Sequence, residues 1–129
     1  MTELKLKQLH YESKTWKRSL GFMMEENIHL KNMLIEILQT SAEEKILEKA
    51  EYFQSKFIKE DERISLVRDD LTLLDKLLVK ELTEDGAIIA EINRKFNKLR
   101  NNLLVAEQQF SELKSEFSYF LLETCTSQN

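Results

Sequence analysis

An all-α fold, three long antiparallel helices wound as one bundle, is what this sequence predicts, and three observations predict it. The 129 residues contain no proline and only two glycines, Gly21 and Gly86, so the chain has almost no helix breakers. One third of the residues are charged, which suits long helices with solvated outer faces. Apolar residues recur at steps of three and four over most of the length. A β-rich domain would need turn residues at short intervals, and they are missing.

The helix boundaries follow from the few places where the pattern stops. Gln39-Thr40-Ser41 is the first candidate turn, with Ser41 and Glu44 spaced as a capping box. Glu84-Asp85-Gly86 is the second, with Gly86 able to adopt the left-handed conformation that closes a helix and Asp85 able to cap the next one. The predicted helices are therefore 2–39, 42–84 and 87–122 in one domain of residues 1–129, with 123–129 a polar, flexible tail. Short loops between long helices make neighbours antiparallel.

The third segment carries the most regular seam: Ile89, Ile92, Phe96, Leu99, Leu103, Ala106, Phe110, Leu113, Phe117 and Phe120. In the second, Ile46, Ala50, Phe53, Phe57, Ile64, Val67, Leu71, Leu74 and Leu78 keep one phase, with Glu60 and Glu81 occupying seam positions. That phase runs unbroken through Lys59-Glu60-Asp61-Glu62-Arg63, so one continuous helix is expected there. The first segment is looser, with Ser13, Trp16 and Asn27 among its seam positions. In length and heptad layout the chain resembles a spectrin-type triple-helical repeat; this implies an architecture and carries no activity with it. Turns centred near 40 and 85 would set Trp16 level with Ile64 and Ala106, Met23 with Phe57 and Leu113, and Leu30 with Ala50 and Phe120.

Asn27, Glu60 and Glu81 interrupt the apolar seam. A polar residue at such a position fixes register at some cost in stability. Glu60 and Glu81 lie about 30 Å apart along one helix at 1.5 Å per residue, too far to act as an acid–base pair on one substrate. Glu26-Asn27-Ile28-His29 has the Glu-x-x-His spacing of di-iron bundles, which need a second such pair facing inward. The other histidine, His10, has Lys7 at the matching offset, and His29 points outward in the heptad frame. No metal or cofactor is expected.

A serine within a glycine-bearing elbow and a glycine-rich phosphate loop are both missing, and Cys125 stands in a polar stretch without a neighbouring histidine. The reading is that the protein is not an enzyme. Net charge of −4 argues against a polyanion as main partner. The chain starts without an apolar leader and has no run of about 20 apolar residues, so a soluble, cytoplasmic protein is expected.

Two surface features remain. Lys5 and Lys7 in the first helix, with Arg94, Lys95 and Lys98 in the third, form a candidate basic patch at one end of the rod. Nearby acids, such as Glu12 and Asp70, point instead to a solvated face of mixed charge. Phe22, Ile28, Ile35, Leu66, Leu73, Leu104 and Val105 lie at outward positions and form a candidate interface. The resulting expectation is a non-enzymatic structural or interaction protein, paired with a helical partner or with itself as a homodimer. The alternatives are a small ligand or metal held near Trp16, Asn27 and Glu60, or an acidic membrane or nucleic acid held at the basic end.

Overall fold

The computed structural model of the chain describes residues 3–83 and 89–127. They form three helices, α1 (Glu3–Thr40), α2 (Glu44–Thr83) and α3 (Ile89–Ser127), packed side by side as a three-helix bundle. Each is about 57–60 Å long at 1.5 Å rise per residue. Isolated helices of this composition are marginal in water, so the buried seam is what holds them.

The first turn lies close to its expected place, but its cap differs. The Ser41 hydroxyl accepts a hydrogen bond from the Glu43 amide (3.3 Å), not from Glu44, and the Ser41 amide donates to the Ile37 carbonyl (3.0 Å). Helix α2 therefore opens two residues later than the capping box implies, with the Leu47 amide closing on the Glu43 carbonyl (3.0 Å). The expected caps at Glu84, Asp85 and Gly86 lie outside the described residues. At the other end α3 runs past the expected boundary at 122. Thr124 is buried, and its hydroxyl donates to the Phe120 carbonyl (2.8 Å), so a polar residue satisfies itself within the helix instead of ending it.

The seam residues are where heptad spacing places them. From Ile92 to Phe120 in α3 and from Ile46 to Leu78 in α2 every apolar seam position is buried. In α1 Leu6, Leu9, Leu20, Met23 and Leu34 are buried, while Trp16, Leu30 and Ile37 are only partly so. The α2–α3 register is the expected one, with Phe53 against Phe117 (5.2 Å) and Lys49 against Glu123 (3.1 Å).

The α1–α2 register is displaced. The Asn27 amide bonds the Phe57 carbonyl, where a turn centred on residue 40 would have set it level with residue 53; the difference is one helical turn. The cause is the connection, which centres between Thr40 and Glu44. Trp16 packs against the cluster that holds Phe96 and Ala106, with its ring tilted on that of Phe96 (ring centroids 4.6 Å). Helical side chains lean toward their own N-terminus, which carries this long ring down the bundle.

The apolar core is not continuous. One cluster runs from Leu6 to Met23 in α1, Ile64 to Leu78 in α2 and Ile92 to Phe110 in α3. A second holds Leu34, Ile46 to Phe57 and Leu113 to Phe120. Asn27 and Glu60, both fully or nearly fully buried, stand between them, and among the described residues only Leu30 packs against both clusters.

Candidate interaction surface and the buried polar layer

Two polar clasps tie α1 to α2. Asn27 donates to Asp61 Oδ1 (2.5 Å) and Lys31 pairs with Asp61 Oδ2. Fourteen residues earlier in α1, Ser13 donates to Asp75 Oδ1 and Lys17 pairs with Asp75 Oδ2. Each clasp sets a buried polar residue and a lysine one turn later around an aspartate, so both ends of the carboxylate are held. The slot between them takes Leu20 and Met24, with the Arg68 guanidinium against the Met24 sulfur (3.3 Å). Sequence reasoning missed Asp61 and Asp75 as partners. The signal was the common spacing of fourteen, two heptads, in Ser13/Asn27, Lys17/Lys31 and Asp61/Asp75.

Replacing Asn27 by alanine is expected to lower stability by about 1–3 kcal/mol, because the Phe57 carbonyl and Asp61 lose a buried donor. Denaturant unfolding compared with wild type checks this, and an unchanged midpoint would remove the clasp from the account.

Glu60 sits on the other side of the same layer. Its Oε2 pairs with Arg63 (3.1 Å), and its buried Oε1 has no hydrogen-bond partner. Burial raises its pKa above the ordinary glutamate value, and Asp61 adds to the rise; the Arg63 charge opposes it. Asn27 Oδ1 and Glu81 Oε2 are likewise buried without a partner. These oxygens make the polar positions costly, as expected where register rather than maximal stability is served.

The seven apolar residues expected at the surface are all exposed, Phe22 and Leu66 the most, at 71% and 66%. The fold does not bring them to one place. Lys31 and Met24 mark the α2 side of α1, and Ile28 and Ile35 lie just outside it. Glu26, paired with Lys114 (2.7 Å), marks the α3 side; Phe22 is one turn before it, and Leu104 is one turn after Arg100, which pairs with Glu12. Leu73 and Val105 belong to the α2–α3 side, and Leu66, seven residues before Leu73 on the same face of α2, also borders an outer hollow with Asp61, Glu62 and Ser65. Leu73 lines a hollow on the α2–α3 side with Leu99 and Asn102, and Val105 is one turn from Asn102 and Gln109, which line that face.

This α2–α3 face carries more than the pattern suggested. Tyr52, Tyr119 and Leu122 are exposed on it as well, and Tyr52 donates to Glu116 (3.2 Å). Burial at the groove edge and the Glu116 carboxylate both push the Tyr52 hydroxyl above its ordinary pKa. Three hollows follow one another along the groove, of about 580, 230 and 80 Å³. The first is walled by Ile46, Tyr119 and Leu122, and the second has Glu60 among its walls. Tyr52, Tyr119 and Leu122 were not among the surface residues expected from the heptad pattern.

The candidate basic patch is divided. Lys95 and Lys98 line the smallest hollow beside Asp70 of α2, which turns them away from α1, where Lys5 and Lys7 are exposed. Glu26 is engaged by Lys114 and His29 is exposed, so the Glu-x-x-His string does not converge. Among the described residues no group of three His, Cys, Asp or Glu side chains comes together as a metal site would require, and no helix is long and apolar enough to cross a membrane. No protein-family model, characterised protein or solved structure matches the chain.

Proposed function

We propose that this chain is a non-enzymatic interaction module, a rigid three-helix coiled-coil rod that works by packing a helix face against a second copy of itself. What carries the reading is the α2–α3 face, where exposed apolar side chains border a groove traced by hollows from Ile46 and Phe120 to Leu73 and Lys95. Exposed apolar residues scattered singly are normal, whereas a row along one groove marks a contact surface. The hollows are open depressions between helices, and their walls mix acids and bases in near balance. Such walls suit a helix laid across them better than an enclosed substrate.

The expected result is a concentration-dependent dimer of twice 15.3 kDa by light scattering behind size exclusion. A mass fixed at 15.3 kDa over a wide concentration range would exclude self-association.

A further inference from the structure

We infer that the α2–α3 face packs on the same face of a second copy with the two rods antiparallel, crossing at Leu66 and Val105. This rests on the self-association proposed above and specifies its surface and direction. Stepping along the groove from the Lys49–Glu123 and Phe53–Phe117 pairs puts Leu66 level with residues 104–106. Leu66 and Val105 are therefore the two outward apolar residues that flank one point of the groove, each at least half exposed or nearly so.

Charge decides the direction. Lys98 and Glu112 stand seven residues before and after Val105, two turns either way, and so share its face of α3. When α3 meets its counterpart antiparallel at Val105, Lys98 of each copy lies opposite Glu112 of the other. Lys95 and Glu116 repeat the arrangement one turn further out. A parallel two-fold would instead set each α3 on the other copy's α2, where Glu112 faces Lys59 but Lys98 lies over Leu73 with no acid at its level. On α2 the antiparallel operation brings the Lys59 stem, seven residues before Leu66, over Leu73 of the other copy, where its methylenes cover an apolar side chain. The interface is isologous and closes on itself, as a two-fold dimer requires. Near-antiparallel rods cross at a shallow angle, so residues within about two turns of the crossing dominate the contact.

The test uses the full chain. Leu66→Glu combined with Val105→Glu should give a monomer with unchanged helicity, because both positions are exposed in the single rod. Phe22→Glu, on the α1–α3 side, should leave the dimer intact. Lys98→Glu and Glu112→Lys should each weaken dimerisation about tenfold, as expected when two attractive rim pairs become repulsive. The double variant should recover wild-type affinity. Residues 98 and 112 are about 21 Å apart within one helix, so recovery cannot come from a contact inside one chain. A dimer indifferent to Leu66→Glu/Val105→Glu overturns this face and leaves self-association standing. A double variant that stays weak overturns the antiparallel direction. A monomeric wild type overturns the self-association beneath both.

Discussion

Replacing Phe57 by alanine is expected to destabilise the bundle by about 3–5 kcal/mol. Phe57 is fully buried and meets the Phe117 ring edge-on at 5.1 Å, while Phe53 stands between it and Phe120. Removing the ring takes away its transfer free energy and these ring–ring contacts, and leaves a void that long helices packed side by side close poorly. Domains of this size are stable by roughly 5–15 kcal/mol, so one such change spends much of the margin. Equilibrium denaturation followed by circular dichroism gives the number directly. Phe22→Ala is the comparison, expected within about 0.5 kcal/mol because Phe22 is exposed. A loss of less than about 1 kcal/mol for Phe57→Ala would mean that the aromatic cluster is not packed as described.

Glu60 should behave in the opposite sense. Replacing it with leucine is expected to raise stability by about 1–4 kcal/mol at neutral pH, the range found when buried ion pairs give way to apolar side chains. Desolvation of the carboxylate is large because it is almost wholly buried, whereas Arg63 is 37% exposed and its attraction is screened by water. Arg63 also stays hydrated when its partner is gone, so no buried charge is orphaned. The sign of the pH effect follows from the raised pKa. The stability associated with the neutral carboxyl is fully present below the ordinary glutamate value of 4.5. It is lost as pH rises through the higher value of the folded state. Glu60→Gln should remove that part of the pH dependence and sit above wild type at neutral pH. Denaturation midpoints of the three proteins from mildly acidic to neutral pH check this. A Gln variant whose profile parallels wild type would show that Glu60 does not carry the linkage.

Why a costly Glu60 stands at a seam position is clearest from its layer. Without Asn27 and Glu60 the two apolar clusters would merge into one uniform seam, and heptad seams of like residues slide by whole heptads at little penalty. Asn27 can reach both the Phe57 carbonyl and Asp61 in one register only. The clasp at Ser13 and Asp75 repeats that requirement two heptads away. Polar burial here selects an alignment, and the apolar clusters on either side supply the stability.

Much of this molecule was legible in the chain, because helix period and heptad spacing are local properties. Three helices, the buried faces of α2 and α3, and the burial of Asn27, Glu60 and Glu81 all follow from residues a few positions apart. So does the outward placement of Phe22, Leu66 and Val105. Thr124 was harder to place, since a polar residue near a terminus reads as a helix end unless its hydroxyl finds a carbonyl within the helix, as it does at Phe120.

The tertiary structure decided what depends on how far one helix slides against another. A shift of one turn in the connection after Thr40 moves every α1 partner. It brings Asn27 to Phe57, turns Trp16 onto Phe96, and leaves Asp61 and Asp75 as the acids that the α1 lysines reach. It also decided which outward side chains share a face: heptad phase says that a residue points out, and only the packing of neighbours says toward which groove. Leu73, Tyr52 and Tyr119 were thereby gathered along α2–α3, while Phe22 and Ile28 were sent to the other two sides. Periodicity is set within a helix by the geometry of its own turns. Register between helices is set by where the connection centres and by a few long-range polar contacts, and neither can be read from the period of one helix.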